Sequence, residues 1–468
     1  MRKATKLYSL LGVLLVVCIA TFAVSRYEEK KEQIKNSGEV ILEIPTESVT
    51  ALSWTNESGT FSFTKDETWA YDEDNTFPVD EEKINDLLEQ FTSSAAAFAI
   101  DDVEDYAQYG LDEPICTIHI TADEESYTVE LGDFSKMDEQ RYVSIGDGKA
   151  YLVSHDPLDE FDAVLRDMIL DDTIPKFDTA EQIEFSGSEN YTILRDEDGK
   201  SLCADDSYFT DGQPLDTDNV ETFLSAIQSL SLTNYVSYHV TDEELAAFGL
   251  NGPELTIKIA YSTSNEDGNT EDSGTLLLRI SRNPEEAAAY EEATEKSEND
   301  LPDVTCYVRV GQSQIVYEIS QDVYDQLTAV SYDTLRHQIL FTADFETVTR
   351  IDVALSGENY TFTYHPPEDK DAEGTWTYNG EEFDVYDLET ALRAISAFRF
   401  TDETPAGQEE ISLTVHLDNE DFQTFTLMLY RLDGTNCVAA VDGKTVALVS
   451  RSKTVDLIEA VNELTLGG

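Results

Sequence analysis

Basic residues are scarce: 30 Lys and Arg stand against 96 Asp and Glu, a net charge of −66. Such a surface repels nucleic acid and anionic headgroups, which excludes binding of polyanions. Cysteine is sparse as well. Cys18, Cys116, Cys203, Cys306 and Cys437 are scattered over 468 residues, and none forms a CxxC pair, so neither a zinc site nor a redox pair is suggested. Cys116, Cys306 and Cys437 fall in apolar strand-like runs, where cysteine acts as a small buried hydrophobe. The six histidines, His119, His155, His239, His337, His365 and His416, never take an HExxH or similar metal spacing. A Walker loop, a dinucleotide GxGxxG after a strand and a GxSxG elbow are all missing. "NEDGNTEDSG" at 265–274 is rich in acids but lacks the regular oxygen ligands of an EF-hand loop. The sequence therefore offers no catalytic, cofactor-binding or metal-ligating residue by motif, and no cofactor is expected.

Hydrophobic residues make up 41% and aromatics 10%, enough for real cores, and the length suits two to four domains. The acidity is uneven. Residues 1–35 hold seven Lys/Arg and three Glu, which leaves 93 acids and 23 bases beyond them. That surface serves solubility, or it attracts cations or basic partners. Residues 7–24, "LYSLLGVLLVVCIATFAV", carry no charge and follow Arg2, Lys3 and Lys6. As a helix they rise about 27 Å, enough for a bilayer core. The positive start keeps residues 1–6 cytoplasmic and places the bulk of the chain outside the cell. A cleaved signal peptide is the competing reading, with Thr21–Ala23 as a poor cleavage site. Residues 25–45 read as a polar linker.

The remainder repeats itself. "YAQYGLDEPICTIHI" at 106–120 returns as "LAAFGLNGPELTIKI" at 245–259, "LRDMIL" at 165–170 as "LRHQIL" at 335–340, and "DGKAYLVS" at 147–154 as "DGKTVALVS" at 442–450. Three diverged copies are expected, at 46–172, 178–342 and 346–466. Each opens with strands of two-residue period, such as "VTALSWTNESGTFSFTK". A hydrophobic–Asp step follows: Val79-Asp80, Leu215-Asp216 and Phe383-Asp384. The Asp is placed to cap a helix whose apolar stripe is Ile84 and Leu88, Val220 and Leu224, or Leu388 and Leu392. Gly110 and Gly249 are expected to stop short helices in the left-handed conformation, with Pro114 and Pro253 forbidding their resumption. The third copy has "DETPAGQEEISLTVHL" instead, and is expected to be shorter at one edge. Each copy closes with a hairpin and then a helix such as 157–169. The second carries an acidic insert at 263–303, with a helix from Asn283 and Pro284. Trp54, Trp69 and Trp376 belong in cores, with a carbohydrate-stacking surface as the rival. Asn190 and Asn359 match the glycosylation acceptor at equivalent points. The fold class is thus α+β: three tandem antiparallel sheets, each with one or two helices, after a membrane anchor.

The anchor, "FPVDEEKINDLLEQF", "YGLDEP" before a strand and "VELGD…RYVSIGDGKAYLVS" resemble the bacterial family called domain of unknown function 4340. The likeness is best over 46–172, fair over 178–342 and weak over 346–466. It implies an extracytoplasmic, membrane-tethered protein, often encoded near ABC transporters of the gliding-motility type, and it brings no reaction or catalytic residues. The expected function is non-enzymatic: binding or scaffolding in the cell envelope, with transporter components or another envelope protein as partner. A carboxylate-dependent envelope hydrolase and a calcium-binding surface protein are the alternatives.

Overall fold

The computed structural model describes residues 38–466 apart from 102, 124, 266–269, 297–300 and 368–373. The expected anchor at 7–24 lies outside the described residues, and among those described no helix is long and apolar enough to cross a membrane. Two compact units are present. Residues through Asp172, with Ser237–His239, make the first, and Thr173–Val236 with Val240 onward make the second.

Three nine-stranded antiparallel sheets are present among the described residues. The first holds β1 (Glu39–Leu42), β2 (Val49–Asn56), β3 (Gly59–Lys65), β4 (Trp69–Tyr71), β5 (Ser94–Ile100), β6 (Cys116–Ala122), β7 (Glu125–Ser135), β8 (Gln140–Ser144) and β9 (Ala150–Val153). The second holds β10 (Thr179–Ser186), β11 (Asn190–Arg195), β12 (Tyr208–Thr210), β13 (Gln213–Pro214), β14 (Tyr235–Ser237), β15 (Leu255–Ser264), β16 (Thr270–Arg282), β17 (Cys306–Val310) and β18 (Val316–Ile319). The third holds β19 (Val348–Leu355), β20 (Glu358–His365), β21 (Thr375–Tyr378), β22 (Glu381–Phe383), β23 (Ala397–Phe400), β24 (Glu409–Leu417), β25 (Thr424–Arg431), β26 (Asn436–Val441) and β27 (Lys444–Ser450). The orders are β1-β5-β9-β8-β7-β6-β2-β3-β4, β13-β12-β11-β10-β15-β16-β17-β18-β14 and β22-β21-β20-β19-β24-β25-β26-β27-β23. Eight strands recur in one order in all three; β1 extends the first sheet at one edge, and β13 and β22 extend the others at the opposite edge.

Register repeats along with order. Leu52 faces Phe63 and Ile120, Ile183 faces Ile193 and Ile259, and Ile351 faces Phe362 and Val415. All nine side chains are buried. The two-residue period of each strand puts them on one face, where helices cover them. Asp80 and Asp216 cap their helices as expected, whereas in the third copy Val385 takes the cap position and Asp384 stands one residue before it. Asp80 accepts from the Glu82 N–H, Asp216 from those of Asp218 and Asn219, and Asp384 from that of Tyr386. The stripes from Ile84 and Leu88, Val220 and Leu224, and Leu388 and Leu392 are buried. Gly110 (φ 66°) and Gly249 (φ 72°) are left-handed. A Cβ on Gly110 would meet Asp133 at 2.7 Å, and one on Gly249 would meet the Arg282 carbonyl at 2.7 Å. The two corners thus press on the equivalent strands β7 and β16.

Several expectations need correction. The third copy is not shorter at an edge: its sheet has nine strands in the order of the second. Among the described residues it has no short helical corner between β23 and β24, and a single helix, Arg451–Leu466, closes it. The closing helix at 157–169 is broken into Leu158–Phe161 and a 3-10 turn, Leu165–Met168. The Asp167 carboxylate accepts from the Val164 N–H and starts the second piece afresh. "LRDMIL" and "LRHQIL" are not structurally in register. The Asp80 N–H donates to the Met168 carbonyl and the Asp216 N–H to the Leu335 carbonyl, so Met168 matches Leu335, three residues off the sequence likeness. Within 263–303, Thr270–Arg282 is strand rather than insert. The helix after it, Pro284–Glu295, is capped by Asn283 as expected.

Candidate functional site

One connection varies in length among the three sheets, and it is longest in the second; the third has nine residues, 366–374, between β20 and β21. Twelve residues, Asp196–Ser207, join β11 to β12, whereas three, Asp66–Thr68, join β3 to β4. The long loop is folded on its own polar groups. The Ser201 hydroxyl donates to Asp206 Oδ2 at 2.6 Å and accepts from the Cys203 N–H at 3.2 Å. The Asp206 N–H closes a turn on the Cys203 carbonyl at 3.3 Å. Leu202 packs against the core of the third sheet, and Lys200 forms an ion pair with Asp421. These contacts turn Cys203 and Asp206 toward the start of the helix Thr217–Gln228.

His337 reaches the same place from the other end of the copy. It follows the short helix Tyr332–Leu335, which Ser331 caps and which the Asp216 N–H pins at 3.0 Å. Its Nε2 lies 2.8 and 2.9 Å from the two Asp206 oxygens, and its Nδ1 lies 3.4 Å from Asp216 Oδ2. The Asp206 side chain is only 1% exposed. Cys203 Sγ, an Asp206 oxygen and a His337 ring nitrogen all lie within 4.8 Å of one another.

Burial disfavours the imidazolium, but the Asp206 hydrogen bond and the charges of Asp206, Asp216 and Asp218 outweigh it and raise the His337 pKa. Burial pushes the Cys203 thiol up, and the nearby carboxylates of Asp205, Asp206 and Asp216 add to this. A thiol kept protonated is a poor nucleophile. The Ser201 hydroxyl is directed at Asp206, not at the imidazole. The cluster therefore has the makings of a ligand set rather than of a proton relay to a nucleophile.

Beside the cluster, a groove of about 380 Å³ runs between the second and third sheets of the same unit. Leu202, Ile339, Phe400 and Phe422 give it apolar walls, and His337 and Arg336 reach its edge. Arg336 lies over the Phe400 ring at 3.8 Å and the Tyr332 ring at 4.9 Å. Ile339 is 46% exposed there, an apolar side chain without cover.

The other residues singled out in the sequence do not converge. Trp54, Trp69 and Trp376 are buried, which places them in cores rather than on a stacking surface. Cys116, Cys306 and Cys437 are buried too. His119 and His365 bond to Thr128 and Thr377, and His416 bonds to Asp352. Asn190 and Asn359 are exposed. Sequence reasoning missed Cys203, Asp206 and His337 as a group. The available signal was the unequal spacing between the first strands and the next aromatic strand in copies one and two.

Comparison with known proteins finds a family model described as "Domain of unknown function (DUF4340)" on residues 69–253 and 208–414. The two matches open on equivalent strands, at Trp69 of β4 and Tyr208 of β12, and so register the same duplication. No curated protein matches the chain.

Proposed function

The chain belongs to the DUF4340 family, and from that premise we propose that it is a non-enzymatic binding or scaffolding protein of the cell envelope. In this reading residues 7–24 anchor it, its copies stand outside the membrane, and a transporter complex is the partner. The groove beside Arg336 and Phe400 takes an apolar segment of that partner. The carrying observation is a single one: an open hollow of mixed polar and apolar lining, with Phe400 and the exposed Ile339 in its wall, on a chain of net charge −66. Tandem copies of one sheet extend surface area without new folding problems, which suits recognition.

The test is mild crosslinking in membranes, detergent extraction and capture of the protein. A discrete partner should be recovered, and Phe400→Asp should weaken the yield while the sheets stay folded. Recovery of the protein alone would tell against the proposal. A phosphatase fused to the carboxyl terminus should be active outside the cell; an inactive, cytosolic fusion would remove the anchor orientation.

A further inference from the structure

We propose that Cys203, Asp206 and His337 form a site for a zinc-class divalent ion. Thiolate sulfur, carboxylate oxygen and imidazole nitrogen are the donors such ions prefer. Here they come from sequence positions up to 134 residues apart and meet within 4.8 Å. Tetrahedral zinc places its ligand atoms about 3.5 Å from one another. Small side-chain rotations in the Asp196–Ser207 loop bring the three together, and water completes the shell.

Two features beyond the donor set support an ion. The first is the carboxylate behind the histidine. Asp216 Oδ2 faces His337 Nδ1 at 3.4 Å, an acceptor placed to favour the proton on Nδ1 and leave Nε2 for an ion. That carboxylate–imidazole–metal order is the usual one for histidine ligands. The second is the charge balance. Asp205, Asp206, Asp216 and Asp218 surround the imidazole and the thiol. Among the described residues the ion-pair partner of Asp206 is His337, whereas Arg336 pairs with Asp333 and Lys200 with Asp421. A buried carboxylate in that company gains from a divalent charge. On binding, Cys203 and His337 Nε2 each give a proton to solvent. The ion ties the long loop to the segment after Leu335, and both border the groove. The ion site does not depend on what the groove binds.

Cobalt(II) is the probe, added to the metal-free full-length protein. The expected result is a thiolate-to-cobalt charge-transfer band with tetrahedral d–d bands, both erased by zinc. Cys203→Ser should abolish the charge-transfer band, while Cys116→Ser, if circular dichroism shows it folded, should retain it. Asp216→Asn keeps the helix cap, since Asn caps well, and should weaken the ion's affinity about 10-fold or more. Absence of the charge-transfer band in the native protein, its survival in Cys203→Ser, or unchanged affinity in Asp216→Asn would each overturn the site as drawn.

Discussion

Glu254 sits just beyond the second glycine corner and receives Arg282 Nη2 at 2.7 Å and the Tyr324 hydroxyl at 2.6 Å. Burial acts to raise its carboxyl, but these hydrogen bonds and the Arg282 charge outweigh it and hold the pKa below 4.5. A depressed folded pKa stabilises the fold above the unfolded value, and that contribution is lost as pH falls through the folded one. Glu254→Gln should therefore melt lower at pH 7 by about 1 kcal/mol, a figure discounted for partial exposure. The gap should close well below pH 4.5, where the native carboxylate is protonated too; a gap of the same size at both pH values would sink this reading. Trp54 makes a simpler case. It is fully buried, stacks on Phe63 at 5.5 Å and donates Nε1–H to the Ala163 carbonyl at 2.9 Å. Trp54→Ala should cost about 3–5 kcal/mol in denaturant titrations, and Trp54→Phe less. The sequence pointed to a core role for Trp54 because aromatic residues in sheets usually join a core or a cross-strand pair. Its hydrogen bond to a residue 109 positions away left no local trace.

At the scale of elements, legibility followed the range of the forces. Strand alternation, the Asp80 and Asp216 caps and the two glycine corners are set within a few residues, and all were readable. The break in the 157–169 helix was not: it depends on the Asp167 carboxylate turning back to the Val164 N–H at 2.8 Å, a choice that propensity alone does not dictate. The three-residue offset between "LRDMIL" and "LRHQIL" misled for a related reason. Similar letters mark ancestry, while the carbonyl that meets the cap N–H marks position. The glycine corners give the sharpest test. Gly110→Ala and Gly249→Ala each force a Cβ into the left-handed region and against a neighbour under 3 Å away. Each should destabilise by about 1–3 kcal/mol, read as a lower denaturant midpoint. Gly357→Ala, also at positive φ but with open space around its Cβ position, should cost less. Equal losses at the three sites would show that strain alone, not the packing of the corner on β7 or β16, fixes these glycines.

For the whole molecule the dominating fact is charge. With 96 acids and 30 bases, folding gathers like charges, and self-repulsion opposes the compact state. The same abundance hid the candidate site, since Asp206 looks like any other acid until His337 is placed beside it. Two consequences can be separated by experiment. Screening at about 0.15 M salt shortens the reach of charge to about 8 Å, so sodium chloride should raise the melting temperature from its low-salt value. A flat or falling response would mean that the ion pairs seen here, such as Arg451 with Glu410 at 3.0 Å, outweigh the repulsion. Calcium chloride at matched ionic strength tests the remaining surface chemistry. If the acids act only through net charge, calcium should exceed sodium by a degree or two, as a divalent counterion. Specific calcium sites would give a rise that saturates and grows as RT ln(1 + [L]/Kd), and that outcome would restore the calcium-binding reading in place of the partner-binding one. Zinc at micromolar levels is the third arm: a rise lost in Cys203→Ser would separate a single built site from the diffuse pull of the acidic surface.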